Sequence, residues 1–245
     1  MQLMISVINA AEAKVAADAG ANILDVKNPA EGSLGAQFPH VIKQVKNVSG
    51  GSVKVSAAIG DMPDLPGTAS LAALGAASCG ADYVKVGLFG PFDEAEAIFL
   101  LSEVRQALCD YPSVSIIAAG YADSERAGTL NPLWLPKIAA SAGIGGCMLD
   151  TAFKDGHNLF DFITPEVLRN LASEAHASGL LFGLAGALRA QDLPLVRDLD
   201  ADVAGVRTAV CRDLQRTSPL DAGKVRSLIG ILAQPSTRDF LLETQ

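Results

Sequence analysis

The segment "DAGANILDVK" (18–27) carries the pattern that decides the fold. A run of small helix-forming residues ends at Gly20, and an apolar stretch typical of a buried strand begins a few residues later. The same transition recurs in "SCGADYVKV" (78–86) and in "SAGIGGCML" (141–149). A helix that ends at glycine and is followed at once by a buried strand indicates an α/β protein with a parallel sheet.

Eight apolar runs predict strands, and helical patterns alternate with them along the chain. The predicted strands are 3–7, 22–27, 53–59, 83–88, 114–120, 146–151, 180–186 and 202–208. The predicted helices are 10–20, 70–80, 92–108, 131–143, 164–179, 189–200 and 221–233. Eight such units in 245 residues match the size of a closed (β/α)8 TIM barrel. We expect one barrel domain over 1–235 and a C-terminal tail over 236–245.

The composition narrows the class of partner. Hydrophobic residues make up 49% of the chain and the net charge is −8. Nucleic acids and anionic membranes bind basic surfaces, so neither is expected as a partner. The four cysteines and three histidines show no metal-ligand spacing, which predicts no metal site. The N-terminus shows no signal-peptide pattern, so a cytoplasmic protein is expected.

Charged residues interrupt the strands near their carboxyl ends, where TIM barrels place their reactive groups. Asp25 and Lys27 end the second predicted strand and, two positions apart, point to the same face. Lys85 lies between valines in the fourth strand. Asp150 ends the sixth strand, and Lys154 follows it. We expect all five side chains at one rim of the barrel.

These residues allow a structural and a chemical interpretation. A buried Asp–Lys pair could simply stabilise the barrel, and Lys154 beside Asp155 resembles an ordinary loop lysine. In a dry pocket among other cations, however, a lysine loses proton affinity, and its neutral amine can form a Schiff base with a carbonyl. Neighbouring carboxylates can move protons during that chemistry. The sequence therefore predicts a Schiff-base lyase or aldolase acting on a carbonyl compound.

A phosphate-binding region is predicted after the last two strands, where this fold commonly binds phosphate. The expected contacts are Gly186, Ala187, Arg207 and Thr208, although such glycines are also ordinary turn residues. Tyr121 and Asp123, after the fifth strand, could line the same pocket. Asp61, after the third strand, is a weaker candidate because it could equally be a turn residue.

Six segments resemble the (5-formylfuran-3-yl)methyl phosphate synthase family, the furan-forming enzymes of methanofuran biosynthesis. They are "DVKNPAEGSLGA" (25–36), "IGDMPDLPGTASLAALGAASCGADYVKVGL" (59–88), "AAGYADSER" (118–126), "LDTAFKDGHNLFDF" (149–162), "GLAGAL" (183–188) and "DVAGVRTAVC" (202–211). The likeness extends from Ile5 to about Arg212. It weakens after Cys211, where "RDLQRTSPLDAGKVRSL" (212–228) replaces a more glycine-rich stretch.

The resemblance implies a TIM barrel that condenses two molecules of glyceraldehyde 3-phosphate into a furan aldehyde phosphate and releases phosphate and water. It places the Schiff-base lysine at Lys27 and further active-site residues at Asp25, Lys85, Asp150 and Lys154. It implies no metal and no organic cofactor. Two alternatives stay open, namely a class I aldolase acting on sugar phosphates and a non-catalytic barrel that binds triose phosphates. We also expect a homo-oligomer, because alanine-rich helices can pack between subunits.

Overall fold

The computed structural model describes residues 1–234 and shows eight parallel strands that close into a barrel in sequence order. The strands are β1 (Gln2–Val7), β2 (Ile23–Val26), β3 (Lys54–Met62), β4 (Tyr83–Leu88), β5 (Ser115–Tyr121), β6 (Gly146–Asp150), β7 (Leu181–Leu184) and β8 (Val203–Val206). Pairing of β1 with β8 completes the closure. The predicted TIM-barrel fold is confirmed. The tail predicted for 236–245 lies outside the described residues, so the domain boundary stays a prediction.

Helices cover the outside of the barrel. Those in residues 1–234 are α1 (Ala10–Asp18), α2 (Pro39–Ser49), α3 (Pro66–Ser78), α4 (Glu94–Ala107), α5 (Ser124–Ala127), α6 (Leu135–Ala142), α7 (Pro165–Ala177), α8 (Leu193–Asp198) and α9 (Ala222–Leu232). Side-chain caps begin several of them, because the first helical N–H groups lack partners within a helix. Asn9 accepts from Glu12 N at α1, and Asp93 accepts from Glu96 N at α4.

The sequence analysis missed α2, which lies between the second and third strands. Its pattern is visible in retrospect, because Pro39 occupies the first turn, Ile42 and Val45 form a buried stripe, and Gly50 ends the helix in the left-handed conformation. Its polar and charged residues made it resemble a loop. The helix predicted over 131–143 is in fact a 3₁₀ turn, Pro132–Trp134, followed by α6.

Alternation along the strands separates two apolar layers. Outward-facing residues pack beneath the helices in one large cluster. Inward-facing residues form a second cluster that fills the barrel and includes Met4, Ile23, Ile117, Met148 and Val203. Because strand residues alternate between faces, the residues two positions beyond these apolar ones also point inward. Polar side chains therefore face the interior above the apolar plug, at the carboxyl ends of the strands.

The helices of residues 1–234 are short. The longest, α4, has 14 residues. None of the helices in this part of the chain combines the length and the hydrophobicity that a membrane crossing requires.

Candidate active site

A cavity of about 750 Å³ opens at the carboxyl ends of the strands. Its lining brings together the five charged residues predicted at the rim: Asp25, Lys27, Lys85, Asp150 and Lys154. The loops that follow β7 and β8 form its opposite wall and contribute Gly186, Ala187 and Thr208. Three lysines and two aspartates leave this cavity with an excess of positive charge, although the whole chain is acidic.

Asp25 is fully buried on β2 and binds the ammonium of Lys85. Lys85 Nζ lies 2.8 Å from Asp25 Oδ2, and Ser6 Oγ donates to the same oxygen at 3.1 Å. Burial alone would raise the pKa of Asp25, but the charges of Lys85 and Lys27 outweigh burial and hold this pKa below its ordinary value. Lys85 is the third residue of β4, and its ammonium reaches Asp25 on β2 from the far side of β3.

Lys27 lies between the two carboxylates without a short contact to either. Its Nζ is 3.8 Å from Asp25 Oδ2 and 3.7 Å from Asp150 Oδ2, and the residue is only 6% exposed. Burial is the main cause that lowers the pKa of Lys27, to about 8, and the charges of Lys85 and Lys154 act in the same direction. Both carboxylates oppose this shift and only partly offset it. At pH 7 roughly a tenth of Lys27 is therefore a neutral amine, against less than about a thousandth for an ordinary lysine.

Asp150 connects Lys27 to Lys154 at the end of β6. Lys154 Nζ donates to Asp150 Oδ1 and also to Thr151 Oγ1, at 3.0 Å. Thr151 N donates to Asp150 Oδ1 at 2.8 Å. Burial would raise the pKa of Asp150, but the charges of Lys154 and Lys27 outweigh it, so this pKa lies below the ordinary value. Asp150 is thus an ionised base within reach of whatever is bound to Lys27.

The loop after β7 presents backbone amides to the cavity. Gly186 has φ +98° and Ala187 has φ +53°, so two successive residues adopt the left-handed region. A Cβ atom on Gly186 would approach Thr151 Cγ2 to 3.1 Å, which adds a steric reason for glycine. Within residues 1–234, the amides of Gly186, Ala187 and Leu188 donate to no acceptor. Successive N–H groups without a protein acceptor can bind an anion, so phosphate binding by this loop stays a prediction.

Arg207 lines the cavity but uses all five of its N–H donors within the protein. Its guanidinium forms a bidentate ion pair with Glu12 at the start of α1. The remaining donors reach the carbonyl oxygens of Ser6, Arg216 and Ser218, at 3.1, 3.0 and 3.3 Å. A phosphate contact from Arg207 would have to break one of these bonds.

A family model described as 4-HFC-P synthase matches residues 3–229. The chain belongs to the 4-HFC-P synthase family. Two relatives named (5-formylfuran-3-yl)methyl phosphate synthase, from Methanosarcina acetivorans and Methanocaldococcus jannaschii, are each 48% identical over 219 residues. These matches cover 89% of this chain and 94% and 93% of the two relatives, so the predicted resemblance is confirmed.

Solved structures share the fold of this 4-HFC-P synthase family member. 3-Hexulose-6-phosphate synthase from Salmonella typhimurium has a TM-score of 0.65 at 18% identity and covers 95% of this chain and 98% of its own. Phosphoribosyl anthranilate isomerase from Thermus thermophilus has a TM-score of 0.62 at 18% identity, with the same coverage. At this identity the likeness concerns the barrel alone.

Tyr121 and Asp123, which were predicted to line the pocket, do not line the cavity. The Tyr121 hydroxyl donates to Asp61 Oδ1, and burial together with the Asp61 charge raises the pKa of Tyr121 well above its ordinary value. Asp123 accepts from the amides of Ala152 and Phe153, at 2.7 and 3.0 Å. Both side chains therefore anchor loops, and a substrate contact for either stays a prediction.

The sequence analysis missed Ser6, Thr151 and Arg216. Ser6 pairs with Asp25 across the β1–β2 ladder, so strand register could have indicated it. Thr151 directly follows Asp150 in the segment 149–162 that resembles the family. Arg216 lies in the segment where the family resemblance weakens, and no pattern in the sequence pointed to it.

Histidine and cysteine side chains play no part in the arrangement described above. Within residues 1–234, no group of three or more His, Cys, Asp or Glu side chains is placed to hold a metal ion. The expectation that the reaction needs no metal or organic cofactor stays a prediction.

Proposed function

We propose that this chain is a lyase that makes (5-formylfuran-3-yl)methyl phosphate from two molecules of glyceraldehyde 3-phosphate, in methanofuran biosynthesis. Loss of one phosphate and two waters balances the atoms. The observation that carries the proposal is the environment of Lys27, a buried amine with a pKa of about 8 between two carboxylates, in a chain whose relatives bear the synthase name.

Lys27 starts the proposed reaction as a nucleophile. Its neutral amine attacks the carbonyl carbon of one triose phosphate, and expulsion of water leaves an iminium ion. The iminium withdraws electrons, so a neighbouring carbon loses a proton and phosphate can leave. A second triose phosphate then adds in an aldol step, and ring closure with loss of two waters gives the aromatic furan. Release of the product aldehyde by water regenerates the Lys27 amine.

The neighbouring residues have separate proposed roles. Asp25 orients Lys27 and shuttles its proton, while Lys85 neutralises Asp25 and lowers the pKa of Lys27. Asp150, ionised and 3.7 Å from Lys27 Nζ, takes and returns protons beside the iminium. Lys154 holds a phosphate or stabilises the leaving group from the cavity wall. The free amides of Gly186 and Ala187, together with Thr208, bind a substrate phosphate.

The geometry does not favour the non-catalytic alternative. A barrel that only binds triose phosphates would keep Lys27 in a permanent ion pair with Asp25. Among residues 1–234 the cation nearest to Asp25 is instead Lys85, with Nζ 2.8 Å away, and the ion pair between Lys27 and Asp25 is longer, at 3.8 Å. A class I aldolase would share Lys27 and differ in its product, an open-chain sugar phosphate formed without phosphate release.

The test is incubation with glyceraldehyde 3-phosphate and borohydride, followed by intact-mass and peptide analysis. Released phosphate and furan absorbance are followed in parallel without borohydride. We expect a triose-derived adduct on Lys27 together with phosphate and furan. An adduct without furan would indicate an aldolase, and no adduct with no turnover would leave the binding barrel.

A further inference from the structure

The segment after β8 carries a cation into the mouth of the cavity. Arg216 is half-buried there and lines the same cavity as Lys27, Asp150 and Gly186. Its guanidinium makes one long hydrogen bond, from Nη2 to Ser33 O at 3.5 Å. No carboxylate of residues 1–234 forms an ion pair with it, since Asp150 and Asp61 act only over longer distances.

The buried Arg207–Glu12 pair holds Arg216 in this place. Arg207 Nε donates to the backbone carbonyl of Arg216 at 3.0 Å, and Arg207 Nη2 donates to the carbonyl of Ser218 at 3.3 Å. The segment is closed further on by a bridge between Cys211 and Leu220. Arg207 thus fixes this backbone through its hydrogen bonds, whereas the side chain of Arg216 lines the cavity.

The charge of Arg216 is incompletely satisfied by the protein. Burial lowers the pKa of Arg216, and the nearby charge of Arg207 adds to the effect. Asp150, the first carboxylate that opposes the shift, is already bonded to Lys154. A guanidinium that has lost part of its hydration and has no ion-pair partner gains most from a multivalent anion, and its planar fork matches phosphate.

We infer that Arg216 binds the phosphate group of a substrate triose phosphate, a contact that the sequence analysis expected of Arg207. The ligand class is a phosphate monoester dianion, held between the Arg216 guanidinium and the free amides of the loop after β7. Arg207 is then a positioning residue that builds the segment carrying Arg216. This inference rests on the proposed function for the identity of the substrate, but phosphate binding can be tested without turnover.

The test compares Arg216→Gln with Arg212→Gln. Arg212 lies in the same segment, is exposed and carries the same charge, so its variant controls for net charge. Binding of inorganic phosphate is measured by calorimetry, and steady-state kinetics are measured with glyceraldehyde 3-phosphate. Borohydride trapping on Lys27 is measured with glyceraldehyde 3-phosphate and with glyceraldehyde, which lacks the phosphate.

We expect Arg216→Gln to weaken phosphate binding and to raise KM for the triose phosphate about tenfold or more, the range for a charge-assisted hydrogen bond. Trapping of glyceraldehyde should be unchanged, because that aldehyde has no phosphate to bind. Arg212→Gln should match the parent protein in every assay. Arg216→Lys should recover part of the affinity, since it keeps the charge but lacks the fork.

Two results would overturn the inference. One is phosphate affinity and KM in Arg216→Gln equal to those of the parent. The other is an equal loss of trapping with both aldehydes, which would show that Arg216 acts only on the folded structure. Absence of any adduct in the parent would instead refute the proposed function, and calorimetry would still decide the role of Arg216.

Discussion

At the scale of single residues, Lys27 differs from the other lysines of the cavity in its partners. Lys85 is bonded to Asp25, and Lys154 is bonded to Asp150, so each carries a charge that a carboxylate balances. Lys27 shares those two carboxylates at distances of 3.7 and 3.8 Å. Lys27 thus lacks the short carboxylate contact that the other two lysines have, and burial lowers its pKa to about 8, which is why Lys27 is the expected nucleophile.

Replacing Lys27 by arginine should abolish imine formation, because a guanidinium stays protonated and cannot act as an amine nucleophile. We expect turnover to fall by at least about 10³-fold, as for loss of other covalent nucleophiles. Furan absorbance and borohydride trapping measure this. Lys14→Arg, at an exposed position paired with Asp18, is the matched control and should leave both unchanged. Normal turnover in Lys27→Arg would exclude covalent catalysis.

The pH profile should report the titration of Lys27. Below a pKa of about 8 the amine is protonated, so kcat/KM should rise with pH, by about tenfold per unit well below that value, and level off above it.

Lys85→Met removes a like charge and leaves Asp25 unbalanced beside Lys27. Both changes raise the pKa of Lys27, so the inflection should move to higher pH. An unshifted inflection would contradict this account of the electrostatics.

At the scale of elements, loops from different strands are joined at the barrel mouth through Asp61. This residue, near the end of β3, accepts from the amides of Ser33 and Leu34 in the loop after β2, at 2.8 and 3.1 Å. It also accepts from the Tyr121 hydroxyl at the end of β5. One carboxylate thereby connects three elements. The loop after β2 begins directly beyond Lys27, so its conformation affects the entrance to the amine.

Tyr121→Phe tests whether Tyr121 anchors the mouth or contacts the substrate. Loss of a hydrogen bond to a charged acceptor should lower the free energy of unfolding by about 1.5–3 kcal/mol. Imine formation should persist, because Tyr121 does not line the cavity. Urea denaturation and borohydride trapping measure the two effects. Reduced kcat/KM with unchanged stability would instead make Tyr121 a pocket residue, as the sequence analysis expected.

At the scale of the whole molecule, the barrel divides into a packed lower half and a reactive upper half. Apolar side chains from most strands fill the interior below the charged layer, so the cavity has an apolar floor. Desolvation by this floor and by the barrel walls is the largest cause of the lowered pKa of Lys27. The packing that stabilises the fold is therefore also what makes the amine reactive.

Met148→Ala should weaken the whole barrel, because Met148 is 2% exposed and belongs to the interior cluster. Truncation of a buried side chain of this size costs about 2–5 kcal/mol of unfolding free energy, including the cavity left behind. Leu71→Ala, on the exposed face of α3, is the control and should change stability by less than about 0.5 kcal/mol. Chemical denaturation followed by circular dichroism measures both. Equal effects of the two variants would refute this view of the interior.

The family resemblance and the strand count were readable from local sequence. Alternation of apolar runs and glycine-ended helices predicted all eight strands, while α2 escaped because its buried stripe is narrow. The five charged residues were predicted together because parallel strands end at one rim. Roles assigned to single residues were less secure. Arg207 and Tyr121 were both expected to line the pocket. Arg207 does so, but the polar groups of both residues are bonded within the protein, and their substrate contacts stay predictions.

The sequence by itself determined the fold class and the set of charged groups at the barrel mouth, because periodicity and strand ends are local properties. Only the tertiary structure decided which charges pair. Asp25 is bonded to Lys85, 60 residues away, and Arg207 is paired with Glu12, 195 residues away. Pairing depends on strand register and barrel closure, which bring distant residues within 3 Å. The pairing in turn leaves Lys27 at 3.7 and 3.8 Å from the two shared carboxylates, which offset only part of the fall in its pKa that burial and the charges of Lys85 and Lys154 cause.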